Sequence, residues 1–230
     1  MVVSHARRFI FFHNPKCAGN SLRETLDAWH DDAFRFYGIR AAPYFRTHLD
    51  HGHLRLWEVH ALFPRVFECA KSYDSAIVVR NPHARFLSAV NEHFKTFQPQ
   101  IDLSAMTSVQ RVSLVEQFVQ KILNIGRITT DWRFVHFSPQ IWQLQIGGRT
   151  VPRHIIPMDD GGAFLGAVLA ALGLPASEIS WQNRSPVDLS AALESPAVTG
   201  FIDGFYADDF AFFREREELA GLARPTGTGC

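Results

Sequence analysis

Apolar residues in this chain come in two kinds of run, and the difference predicts the elements. Phe9-Ile10-Phe11-Phe12, within Arg8–His13, is short and unbroken, and so is Ala76-Ile77-Val78-Val79, within Ser75–Val79. That is the pattern of strands covered on both faces. His154–Ile156 is a third, shorter strand candidate. Elsewhere the apolar residues recur at helical spacing. Leu22, Leu26 and Trp29 form one stripe, opened by Ser21 and Glu24 at capping-box spacing. Phe86, Leu87, Val90 and Phe94 mark a helix over Ala84–Phe97, entered through Asn81-Pro82, with proline suited to a first turn. Ser108–Ile125 is the best amphipathic helix, and Gly126 reads as its stop. Ala163–Leu172 is a helix closed by Gly173 and Pro175, and Phe201–Leu222 is the last helix. Leu54–Val59 reads as a short strand or the start of a turn, and Ala33–Arg46 has no clean period. Strands alternating with helices predict an α/β fold, with a four- to five-stranded, mainly parallel sheet flanked by helices.

Length and composition narrow this picture. A chain of 230 residues, at ~100–200 residues per domain, predicts a single domain over 1–223 with 224–230 as a flexible tail. A hydrophobic fraction of 47% excludes disorder of the whole chain. Lys plus Arg equals Asp plus Glu at 23 each, which argues against nucleic-acid binding through many neutralised phosphates. Cys17, Cys69 and Cys230 suggest neither a disulfide framework nor a zinc site, and a reduced compartment is the simplest fit. The longest weakly polar stretch, from Ala163 to Leu174, is shorter than the ~20 apolar residues of a membrane span. No signal-peptide order is present at the N-terminus, so a cytoplasmic location is expected.

Two segments carry chemistry. The first is His13-Asn14-Pro15-Lys16-Cys17-Ala18-Gly19-Asn20-Ser21, between a predicted strand and a predicted helix. A helix start offers backbone N–H groups and a partial positive charge to a phosphate, and small residues let the backbone approach closely. Lys16 adds a mobile charge and Ser21 a hydroxyl. The Walker spacing is absent, and no acidic Mg²⁺ ligand is obvious. The second segment runs from Ile77 to Val90. Arg80 ends its strand and Ser88 lies about two turns into its helix, where an Arg fork and a hydroxyl suit a second phosphate.

Together these segments resemble the sulfotransferases that use 3′-phosphoadenosine 5′-phosphosulfate (PAPS). The closest match is to the carbohydrate (Golgi-type) sulfotransferases and their bacterial relatives. The first looks like that family's 5′-phosphosulfate loop, H-x-P-K-[TC]-[AG]-[GS]-[TN]-[ST], and the second like its R-[DN]-P-x-x-R-x-x-S segment. His136-Phe137-Ser138-Pro139-Gln140, Asn183-Arg184-Ser185 and the Tyr206 to Phe210 segment are weaker echoes. Asn81 stands where many members have Asp, and no Golgi-type anchor precedes the segments. The resemblance implies a P-loop-like three-layer fold. It also implies that PAPS is held by Pro15, Lys16, Cys17, Ala18, Gly19, Asn20 and Ser21, by Arg80 and Ser88, and by Asn183 and Arg184. Lys16 would contact the sulfuryl group and its bridging oxygen. No metal is required in that family, and desulfated PAP is its product.

A hydroxyl acceptor must lose a proton, and histidine suits that task near neutral pH. His51-Gly52-His53 is similar to the H-G-H segment of the uronyl 2-O-sulfotransferases, which makes His53 the expected base with His51 assisting. A metal site at these histidines lacks a recognisable completing set. Arg46 and Arg55, with Arg35, Arg40 and the neighbouring aromatics, suit an acidic sugar chain. His136 and Gln140 are further candidates for contact with acceptor or nucleotide. The acceptor expected is a glycan or glycolipid. Two other functions fit the same residues: a Mg-ATP-dependent phosphotransferase, or a non-catalytic nucleotide- or glycan-binding module.

Overall fold

A computed structural model of the chain describes residues 1–45, 47–158, 162–175 and 187–224. In chain order the elements are β1 (Val2–Ser4), β2 (Phe9–Phe12), α1 (Gly19–Leu26), β3 (Ile39–Ala42), β4 (Thr47–Asp50), α2 (Leu56–Leu62), α3 (Pro64–Ala70), β5 (Asp74–Val79) and α4 (Pro82–Phe97). They continue with α5 (Ser108–Gln117), α6 (Ile125–Thr130), α7 (Ile141–Leu144), β6 (Gln145–Ile146), β7 (Arg149–Thr150), β8 (His154–Pro157), α8 (Ala163–Ala171), α9 (Pro196–Phe205) and α10 (Ala207–Arg214). The fold is mixed α/β. Its contacts divide it into two compact units, Met1–Arg80 with Gln140–Gln182, and Asn81–Pro139 with Asn183–Cys230.

The first unit is built on a four-stranded sheet in the order β1-β2-β5-β8. β2, β5 and β8 run parallel, with Phe9 opposite Asp74 and Ile77 opposite Ile155. β1 adds an antiparallel edge, Val3 opposite Ile10. Every residue of β2 is buried, which explains its unbroken apolar run. One face of the sheet, with Phe9, Phe11, Ala76, Val78 and Ile156, packs on Leu22 and Leu26 of α1 and on Phe164, Val168 and Leu169 of α8. α8 closes as its sequence predicts. Gly173 is left-handed (φ 64°), and Gly173 N–H and Leu174 N–H bond to the carbonyls of Ala170 and Leu169, the Schellman pattern.

Several elements differ from the sequence-based expectation. α1 begins at Gly19 with Ala18 at its N-cap, so Ser21 lies inside the helix rather than capping it. The stretch without a period contains a hairpin, β3 against β4, with Arg40 opposite Leu49. Leu54–Val59 is not a strand: α2 starts at Leu56, capped by Arg55 and Glu58.

In the second unit, α4 is the long central helix. Asn81 caps it, its Oδ1 accepting from Ala84 N–H at 3.1 Å, with Pro82 in the first turn as expected. The expected helix over Ser108–Ile125 breaks after Gln117 into a π-turn over Phe118–Ile122, and Gly126 lies within α6 rather than stopping a helix. The expected last helix is three pieces, α9, α10 and a 3₁₀ turn over Glu217–Ala223. Leu222 and Arg224 are held, because their carbonyls accept from Asn81 Nδ2 at 2.9 and 2.6 Å. The remainder of the expected tail, 225–230, lies outside the described residues. Phe86, Phe137 and Phe201 pack together, and His93 is buried among Phe97, Phe118, Phe134 and Phe137. Among the described residues no helix is long and apolar enough to cross a membrane.

Candidate functional site

In the first unit, both motif segments leave the carboxyl ends of neighbouring parallel strands, the edge at which open α/β sheets place ligands. The chain leaves β2 at Phe12 and turns through His13 to Ala18 into α1; it leaves β5 at Val79 and reaches Arg80. The first turn has an unusual backbone. Lys16 (φ 64°) and Ala18 (φ 54°) are both left-handed, although neither is glycine, and Cys17 between them is not. Alternation of left- and right-handed residues is the backbone pattern of the nests in which proteins bind anions. Non-glycine residues hold this conformation at a cost, about 1–2 kcal/mol each. α1 then starts without a capping side chain and without an acidic residue in its first turn. No side chain of that turn therefore neutralises the positive end of the helix dipole.

Gly19 is required by packing. A Cβ there would run into Cδ2 and Nε2 of the buried His13 ring. Pro15 and Cys17 are buried, Lys16 and Ala18 half-buried, and Asn20 exposed. Cys17 Sγ lies 3.6 Å from Pro15 O and 3.8 Å from Gln140 Oε1, and the residue belongs to the apolar core. It reads as a small residue that fits.

Gln140 brackets the two segments. Its Oε1 accepts from Asn14 Nδ2 at 2.9 Å and from Arg80 N–H at 3.0 Å, and its Nε2 donates to Arg80 O at 2.7 Å. Asn14 Nδ2 also donates to Val78 O, and an Arg80 guanidinium N–H donates to Lys16 O at 3.3 Å. Gln140 is fully buried. Its amide is engaged with the protein on both its oxygen and its nitrogen, so it acts as a positioning residue between the two segments. The H-x-x-P-Q resemblance drew attention to it, but its role depends on strands that lie far apart in sequence.

His53 follows β4 and is mostly buried. Its Nδ1 lies 3.3 Å from His13 O, its ring centroid 4.3 Å from that of His13, and its Nε2 4.0 Å from Asp50 Oδ2. Burial pulls its pKa below the ordinary 6.5, with Asp50 opposing. His51 is placed differently. Its ring packs on Phe34 and Phe63, at 5.2 and 5.9 Å. Neither of its ring nitrogens has a hydrogen-bond partner among the described residues, and burial also lowers its pKa. The two histidines occupy a turn, not a strand, so they do not share a strand face.

The expected acceptor residues divide. Arg55 is buried and pairs with Glu58 at 3.0 Å, flanked by Trp57 and Trp142. Burial raises the Glu58 pKa and lowers that of Arg55, each partly opposed by the partner. Arg55 is thus part of the α2 cap and not a surface fork. Arg35, Arg40, Tyr37 and Tyr44 are exposed, Tyr37 at 66% and Tyr44 at 77%. Arg35 pairs with Asp27, Arg40 lies over the Phe34 ring at 4.8 Å, and Arg23 over Tyr37 at 4.3 Å. Arg46, Asn183 and Arg184 lie outside the described residues.

In the second unit, α4 carries buried Ser88 and fully buried Arg85. One Arg85 guanidinium nitrogen donates to the carbonyls of His136 (3.2 Å) and Ser138 (2.7 Å), and Tyr206 Oη donates to the Phe137 carbonyl between them at 2.9 Å. Tyr206 is pushed above the usual tyrosine range by burial, with Arg85 and Asp209 acting in opposite senses. Three segments distant in sequence, around Arg85, His136 and Tyr206, thus close on one buried knot. His136 itself is half-buried in a 3₁₀ turn.

No protein-family model matches this chain, and no curated protein or solved structure shows detectable similarity to it. Any functional reading therefore rests on the motifs and on the geometry just described.

Proposed function

We propose that the protein is a PAPS-dependent O-sulfotransferase on a P-loop-like fold, acting on a hydroxyl of a carbohydrate acceptor. The observation that carries this reading is the turn from Pro15 to Ser21. It joins two left-handed non-glycine residues to an uncapped helix start, with Lys16 in the turn and Gln140 tying it to Arg80. That donor set suits a phosphate, and it differs from the Walker arrangement that Mg-ATP enzymes use.

PAPS supplies a sulfuryl group on its 5′-phosphate. The backbone of Cys17 to Ser21 binds that phosphate, and Lys16 neutralises charge on the leaving oxygen. Arg80 supplies its guanidinium to the 3′-phosphate; the family pattern that the segments resemble would assign Ser88, Asn183 and Arg184 to the same nucleotide. His53 takes the proton of the acceptor hydroxyl at Nε2. A carbonyl can only accept, so the His13 O contact assigns the proton of neutral His53 to Nδ1 and leaves Nε2 basic. Exposed Tyr37, Tyr44 and Arg40 offer ring faces and a cation to an acidic sugar.

Calorimetric titration with PAP in EDTA, beside ATP with Mg²⁺, tests this reading. Micromolar PAP binding that is lost in Lys16→Ala and Arg80→Ala is expected. No PAP binding by the folded protein, or a preference for Mg-ATP, would overturn it in favour of phosphotransfer.

A further inference from the structure

His53 faces a second group that the motif resemblance does not assign. Asp50 closes β4, three residues before His53. Its Oδ1 accepts from Gly52 N–H at 2.9 Å, and its backbone carbonyl accepts from His53 N–H at 3.0 Å. The carboxylate is thereby held within the same turn as the imidazole. Its Oδ2 lies 4.0 Å from His53 Nε2, too long for a hydrogen bond to neutral imidazole and short enough to act on its charge. On the opposite edge of the ring, His13 O fixes Nδ1.

Within the first unit the other groups acting on His53 are the His13 ring, Lys16 and the Met1 amine. Lys16 opposes a positive imidazolium. The Met1 amine, whose pKa burial lowers to about 4, is uncharged at neutral pH. Asp50, together with the His13 carbonyl on Nδ1, favours the protonated ring, and Asp50 is the one of these two that carries charge.

We infer that Asp50 is the positioning residue of His53: the His13 carbonyl fixes Nε2 as the basic nitrogen, and Asp50, facing that nitrogen, holds the imidazolium once Nε2 has taken a proton. This inference rests on the sulfotransferase reading for its role in turnover, but its physical content stands without a ligand. A base drawn down by burial needs such a counter-charge to accept a proton from a hydroxyl.

The test is a side-chain ¹⁵N NMR titration of His53 in the wild type, Asp50→Asn and Asp50→Glu. Asn keeps an oxygen for Gly52 N–H, and the resonances of half-buried His30, in the same unit, report whether the fold is intact. In the wild type the neutral ring is expected to carry its proton on Nδ1. In Asp50→Asn the midpoint should fall by about one pH unit, and Asp50→Glu should recover part of that shift. With PAPS and an acceptor, the acidic limb of kcat/KM should move down with the NMR midpoint. An unchanged midpoint in Asp50→Asn, or a wild-type ring protonated on Nε2 when neutral, would overturn the inference. Failure of the wild type to bind PAP would instead overturn the sulfotransferase reading, leaving the NMR result to decide on Asp50 alone.

Discussion

The turn from Pro15 to Ser21 and the knot around Arg85 are both built from motif residues, yet they are made by opposite means. The turn takes its form from the backbone: Lys16 and Ala18 sit left-handed, and α1 opens with no capping side chain. The knot takes its form from side chains: Arg85 and Tyr206 donate to three successive carbonyls, those of His136, Phe137 and Ser138. In the first, alternating backbone conformation leads into a helix start that no side chain caps. In the second, donors are directed inward at the chain itself. Strained backbone is held at sites that act, whereas buried, hydrogen-bonded side chains hold a scaffold. Damage to the knot should therefore appear in stability, and damage to the turn in binding and turnover.

The largest stability effect is expected for Arg85→Ala. It orphans one buried and one partly buried carbonyl contact, at about 1–3 kcal/mol each. Urea denaturation should show a loss of roughly 3 kcal/mol, and Arg85→Lys should recover only part of it, because an ammonium lacks the planar fork. Lys16→Ala should give the converse: stability within ~0.5 kcal/mol of wild type, with kcat for sulfuryl transfer lowered about 10²- to 10³-fold. Equal stability losses in the two variants would erase the distinction.

Gly19→Ala should affect both properties. Its Cβ meets the His13 ring, which also touches His53. A loss of about 1–3 kcal/mol is expected from overpacking, together with weaker PAP binding. A smaller effect is expected for Asn81→Asp. Aspartate keeps the helix cap but cannot donate to the carbonyls of Leu222 and Arg224. Thermal unfolding should show a loss of about 1–2 kcal/mol. The amide thus has a use here that an aspartate at this position cannot fill.

Acidification should give the most gradual effect. Burial lowers the pKa of His30, His51, His53 and His93 from the ordinary 6.5. His30 is held neutral in addition because its Nδ1 accepts from Val3 N–H at 3.1 Å. The unfolded chain binds more protons than the folded one below pH 6.5. Their contribution is therefore complete above about pH 6.5 and is lost as the pH falls toward the folded values, by at most about 1.4 kcal/mol per histidine per pH unit. Urea midpoints measured from pH 7.5 to 5 should fall, and His93→Phe should flatten the slope.

The parts of this structure legible in the sequence are those with strong local signals. The apolar runs of β2 and β5 and the Asn-Pro entry to α4 needed no partner to be seen. So did the Gly173 stop of α8. The hairpin of β3 and β4 was hidden because Ile39, Arg40 and Ala41 are all exposed, so no burial alternation marks the strand. The stripe from Ser108 to Ile125 gives no sign of the π-turn that interrupts it. At the site, the turn could be read from its position between strand and helix. Arg55 was a candidate for an acidic sugar, and the sign of its buried pairing was local: Glu58 stands three residues on, at capping-box spacing. Gln140 acts through Asn14 and Arg80, on two segments distant from it in sequence, and no local pattern carries that information.

The central claim is that the backbone of this turn receives a phosphate. Backbone amide ¹H–¹⁵N shifts recorded during titration with PAP in EDTA test it most directly. The amides of Cys17, Ala18, Gly19, Asn20 and Ser21 should move most, and their response should vanish in Lys16→Ala. PAP binding that leaves these amides unmoved, or no PAP binding at all, would contradict the account.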